Sequence, residues 1–103
     1  MKYDTRLEFF IIIADRKKKK SLITLLTQSG ARIINTLYGT GSAKVNSFAD
    51  AFGFIPEENK IVITCLLSAD KSDILIETLN KEFNFDKQNT GIAFTVPVEG
   101  LSY

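Results

Sequence analysis

Side chains able to do chemistry are few in this 103-residue sequence, and which types are missing already narrows the function. Histidine is absent and Cys65 is the only cysteine, so an imidazole base, a Cys/His dyad and a zinc site built from those ligands are excluded. Cys65 lies inside the apolar run IVITCLL, where a small buried hydrophobe is expected rather than a reactive thiol. What remains suits anion recognition. Two glycines frame Thr40 in Gly39-Thr40-Gly41, followed by Ser42 and Ala43, and backbone N–H groups after such a turn can cradle phosphate. A second polar turn reads Lys87-Gln88-Asn89-Thr90-Gly91, and Lys44, Lys60 and Lys87 are the cations nearest to both. Arg16, Lys17, Lys18, Lys19 and Lys20 follow one another without a break. Around a helix they cannot share one face, and they stand where the helix dipole prefers anions, so a solvated helix start outweighs a specific anion site. Asp50, Glu57 and Glu58 are clustered carboxylates without the spacing of a calcium loop.

Periodicity supplies the elements that must hold these residues. The run LEFFIIIA at 7–14 suits a central strand. Asp15 can cap a helix over 17–28, in which Leu22, Ile23, Leu25 and Leu26 recur at helical spacing before Gly30 stops it. The imperfectly alternating ARIINTLY at 31–38 is a second strand running into the glycine turn. Residues 42–58 sustain no strand period, and a loop of that length within a compact domain is unusual enough to point to function. Its Phe48, Phe52, Phe54 and Ile55 suit either a partner-binding knob or packing back onto a sheet. IVITCLL at 61–67 is a third strand. A second helix over 72–83 carries the stripe Ile74, Leu75, Leu79 and Phe83, and a fourth strand at 92–98 has Pro97 near its end, where an edge position tolerates it. The order βαββαβ predicts an α+β, ferredoxin-like sandwich: a four-stranded antiparallel sheet with two helices on one face. The other face then needs cover, which self-association would provide.

Composition agrees with one globular domain spanning 1–103: apolar residues make up 45% and charged residues 24%. Net charge is only +1, yet residues 1–44 hold nine Lys/Arg against three Asp/Glu and residues 45–103 hold four against nine. Opposite halves suit either head-to-tail pairing or two halves interleaved in space, and the second is the simpler. Glu8 and the Asp15-Arg16-Lys17 sequence argue against a secretory signal at 7–14, no apolar run is long enough to span a membrane, and the lone cysteine suits a reducing cytoplasm. No nucleic-acid motif accompanies the basic run, so nucleic acid is not an expected partner.

The same residues resemble the nitrogen-regulatory P-II signal proteins. Helix one with its terminating Gly30, and the pair in Gly39-Thr40-Gly41, match the family's first helix and the glycines ending its second strand. Phe54-Ile55-Pro56 resembles the Phe-Leu-Pro closing the family's long T-loop, and Gly91-Ile92-Ala93-Phe94-Thr95-Val96-Pro97-Val98-Glu99 is similar to its Gly-Lys-Ile-Phe-Val ending with Pro-Val-Glu. The resemblance implies a homotrimeric signal-transduction regulator without catalytic residues. It would bind an adenine nucleotide (ATP, ADP or AMP) or a related anion in clefts between subunits. The ligand would be held by Gly39, Thr40, Gly41, Ser42, Ala43, Lys60, Lys87, Asn89, Thr90 and Gly91, with Lys60 opening strand three much as family members place a lysine. It implies no obligatory cofactor or metal, and a T-loop at 42–58 that engages a partner, in many members a membrane transporter. Several departures weigh against triphosphate binding. Ile92 stands where the family has lysine, the turn before it has a single glycine, Ser42 and Ala43 replace an Arg and a Gln, and the arginines expected beyond Glu99 are missing. The loop contains no tyrosine, which excludes uridylylation of the P-II type.

Two other readings compete. Small acyl-phosphate hydrolases share the βαββαβ order and place an arginine after strand one, where Arg16 stands, but Asp15-Arg16-Lys17 lacks the glycine-containing loop needed to wrap a phosphate. A ligand-free trimeric adaptor, or a trimer resembling the divalent-cation tolerance proteins, is the other, although a chain without histidine offers poor ligands to soft metals.

Overall fold

The computed structural model describes residues 6–38, 59–87 and 90–100. Strand β1 (Leu7–Asp15) runs into a 3-10 turn (Arg16–Lys18) and helix α1 (Lys19–Gln28), followed by β2 (Arg32–Tyr38), β3 (Lys60–Ser68), helix α2 (Ala69–Glu82) and β4 (Gly91–Pro97). The four strands form one sheet in the order β2-β3-β1-β4, and every neighbouring pair is antiparallel. This is the split βαβ arrangement that the order of elements predicts.

Strand β1 is central because both its faces are apolar. Phe10, Ile12 and Ala14 point to the helix layer, and with Ile61, Ile63, Cys65 and Leu67 of β3 they meet Leu22 and Leu26 of α1 and Leu75 and Leu79 of α2. Removing each such side chain from water contributes on the order of 1.5–3 kcal/mol, so this layer is the main source of stability. Cys65 is part of it, and burial pushes its thiol up to about 11, which keeps it protonated and unreactive at neutral pH. On the opposite face Ile11, Ile13 and Val62 make a second cluster, with Ile92 and Phe94 packed against it. That face becomes more exposed outward, to 36% at Phe9, 46% at Val96 and 57% at Leu37.

The local signals behave as the chemistry requires, with two differences. Asp15 caps the 3-10 turn, its Oδ1 accepting from the Lys17 backbone N–H at 2.9 Å. Gly30 takes φ +82°, the left-handed conformation that ends helices, and Ala31 N–H reaches back to the Leu26 carbonyl at 3.0 Å. Pro97 closes β4, which pairs only with β1 and is therefore an edge strand. The first difference is helix α2, which starts at Ala69 rather than Ser72. Its buried positions are Ala69, Ser72, Leu75 and Leu79, so Ile74 lies off the apolar stripe and is 65% exposed. The second is a bulge in β2. Arg32 faces Leu66 and Asn35 faces Thr64, so three steps along β2 match two along β3. Ile33 takes up the extra residue at φ +53° and projects to solvent, while Ile34 packs on the core. The imperfect alternation of ARIINTLY is this bulge.

Candidate functional site

Antiparallel pairing gathers four strand ends at one edge of the sheet. Asp15 at the end of β1 faces Lys60 at the start of β3, Ala14 faces both Ile61 and Gly91, and Tyr38 at the end of β2 faces Ile61. Of the residues predicted to hold a ligand, Lys60 and Gly91 therefore flank the end of β1, with Thr90 one residue before Gly91. Lys87 is more remote, in the exposed turn after α2, where its N–H bonds the Asn84 carbonyl at 2.9 Å. Gly39, Thr40, Gly41, Ser42, Ala43 and Asn89 lie outside the described residues, as does the 42–58 segment; Gly39 directly follows Tyr38 in the chain.

Two of these positions look different once placed. Lys60, expected as a cleft cation, is only 2% exposed, on the face opposite the helices and level with Asp15. Gly91 has a packing reason of its own. It is buried, and a Cβ there would overlap the Phe85 ring, which itself stands edge-on to Phe83 at 6.3 Å. A glycine at 91 is thus required by the turn between α2 and β4 whether or not a phosphate comes near.

The same edge holds a cluster that sequence spacing did not reveal. On the helix side, the Arg16 guanidinium lies 4.6 Å from the centre of the Tyr38 ring and the Lys19 ammonium 4.8 Å from it. Lys19 Nζ also donates a hydrogen bond to the Tyr38 hydroxyl. That bond is the largest influence on the phenol and, together with a bond to Thr36 and the charges of Lys19 and Arg16, holds it below its ordinary range against desolvation, which acts the other way. Arg16 is fixed by its backbone N–H, which bonds the Asn59 carbonyl at 3.2 Å. A cleft of about 450 Å³ lined by Asp15, Arg16, Lys17 and Asn59 opens beside it. Five successive cations do not share a face, as expected, but Arg16 and Lys19 are one helical turn apart and do converge. Tyr38 was missed because 19 residues separate it from Lys19, and only the strand pairing brings them together.

No family model matches the sequence, and no curated protein does. Solved structures do match. The CPII protein of Thiomonas intermedia K12, bound to ADP, AMP and acetate, superposes with a TM-score of 0.68 at 16% identity, over 89% of this chain and 85% of that one. A protein from Thermus thermophilus described as PII-like gives 0.65 at 17% identity, over 91% and 87%. This chain has a PII-like fold. Arabidopsis thaliana PII bound to citrate gives 0.61 at 14% identity, over 92% of this chain and 79% of that one. The fold that the P-II resemblance implies is therefore present in the described residues, while identities this low leave the ligand to be argued from the residues.

Proposed function

We propose that the protein is a PII-like regulator: a non-enzymatic, cytoplasmic homotrimer that binds a small effector, an adenine nucleotide or related anion, in clefts between subunits. The observation that carries this reading is the fold likeness to PII-like proteins, of which the Thiomonas protein is bound to ADP and AMP. The gathering of the ends of β1, β2, β3 and β4 at one edge supports it, because both candidate turns, 39–43 and 87–91, connect to that edge. ADP and AMP are favoured over ATP, since Ile92 and the single glycine of the 87–91 turn supply fewer phosphate contacts. Residues 1–103 form one domain in this reading, and the 42–58 segment acts as a T-loop whose two states differ in affinity for the effector and for a regulated partner, a membrane transporter being the partner class implied by the resemblance. The apolar face of Phe9, Ile11, Ile13, Val62, Phe94 and Val96 is the surface the trimer would bury.

A thermal-shift panel of ADP, AMP, ATP, cyclic AMP, bicarbonate and citrate tests the effector. A ligand at about 100 times its Kd stabilises by about 2.7 kcal/mol, an easily visible rise in Tm; a flat panel would sink the proposal. Light scattering tests the assembly. Three copies of 11.5 kDa are expected, and Phe9→Glu should shift the mass towards one copy with the fold retained. A monomeric wild type at micromolar concentration is incompatible with clefts between subunits.

A further inference from the structure

We propose that the turn from Arg16 to Lys19 is a clasp joining the two ends of the 39–58 segment, so that a displacement at its entry, Tyr38, is felt at its exit, Asn59. Arg16 reaches both ends. Its backbone N–H bonds the Asn59 carbonyl at 3.2 Å, which extends the pairing of β1 with β3 one step beyond Asp15 and Lys60. Its guanidinium lies 4.6 Å from the centre of the Tyr38 ring. Lys19 adds to the hold, with its ammonium 4.8 Å from the same centre and hydrogen-bonded to the Tyr38 hydroxyl.

The sheet alone holds the entry weakly. Tyr38 is the last residue of β2, an edge strand that pairs only with β3, and it is 38% exposed. The ends of such strands open readily, because few contacts are lost when they do. The turn, by contrast, is anchored at both sides. Asp15 Oδ1 caps it at Lys17, and it runs without a break into α1, whose Leu22 and Leu26 are fully buried in the core. Tyr38 therefore takes its position from the corner between β1 and α1 as well as from β3. Coupling follows because Arg16 is shared. When Tyr38 swings away, Arg16 loses the ring that orients its side chain, and the N–H bond made by the same residue to Asn59 opens more easily. By reciprocity, freeing Asn59 loosens Arg16 over Tyr38. The consequence for signalling rests on the regulator reading: an effector at 39–43, directly after Tyr38, is then sensed at the far end of the segment. The clasp itself is a property of the fold.

Hydrogen exchange of the full chain, resolved to single amides and without any ligand, reads the clasp at the Arg16 N–H. Tyr38→Leu removes the ring and should speed exchange of that amide roughly tenfold or more; Tyr38→Phe keeps the ring, loses the hydroxyl and should do so by less. Lys20→Gln removes a neighbouring cation outside the cluster and should leave the rate unchanged. Amides in the middle of β1 should stay protected in every variant. The reverse direction is read at the ring. A Tyr3→Phe/Tyr103→Phe background leaves Tyr38 as the only tyrosine in a chain without tryptophan, so acrylamide quenching of its fluorescence reports that ring alone. Asn59→Gly should make the ring more quenchable. The proposal is overturned if the Arg16 amide exchanges in Tyr38→Leu as it does in wild type, or if Lys20→Gln has the same effect. It is equally overturned if the middle of β1 opens in step with Arg16, which would be global unfolding, or if Asn59→Gly leaves Tyr38 unchanged. None of these readings uses an effector, so failure of the regulator proposal would leave them intact.

Discussion

At the scale of the residue, Gly91 shows how one position can satisfy a motif and a packing constraint together. As a sequence feature it opens a glycine-containing match to P-II proteins; in the fold it is the surface on which the Phe85 ring rests. Gly91→Ala should therefore destabilise by about 1–3 kcal/mol, the usual range for overfilling a packed site. Thermal melts should show the loss, and a double-mutant cycle with Phe85→Leu should recover part of it. If Gly91→Ala melts as wild type does, the Phe85 contact is not what fixes the glycine. Cys65 was readable from its apolar neighbours alone, because burial of a small thiol depends on local sequence. Tyr38 was not, because its partners arrive through strand pairing rather than spacing. Lys60 was correctly placed at the start of a strand but not recognised as buried, since exposure at a strand end depends on which face the neighbouring chain leaves open.

Elements were legible wherever one period dominated. Both helices and all four strands followed from apolar spacing, and the caps at Asp15 and Gly30 from their side-chain chemistry. What escaped was geometry set by a partner element: the early start of α2, and the bulge that β2 adopts so that Ile34 can reach the core. Ile33 carries the strain of that bulge, a β-branched residue at φ +53° with 68% of its surface exposed. Ile33→Asn loses little burial and introduces a residue that tolerates the left-handed region, so it should stabilise by about 1 kcal/mol in chemical denaturation. A destabilised Ile33→Asn would mean that the isoleucine makes a contact on that surface that outweighs its backbone strain.

Over the whole molecule, the charge asymmetry of the sequence resolves into interleaving. The basic half supplies β1 and β2, the acidic half β3 and β4, and the sheet order alternates between them. The two halves thus interleave within one sheet, and neither half has a sheet of its own. A protease site placed within residues 42–58 and then cut should give two pieces that co-elute in native gel filtration and separate only in denaturant. Pieces that part without denaturant would show that pairing across β1 and β3 is weaker than its nine matched residue pairs suggest. The same strand order bears on how the protein is made. Leu7–Asp15 leaves the ribosome first, but its two neighbours, β3 and β4, end at Ser68 and Pro97. An apolar, β-prone strand must therefore wait for a partner until β3 and β4 have been made, the circumstance in which nascent chains aggregate. The five cations that follow it directly, Arg16 to Lys20, stand where gatekeeper charges protect such a segment.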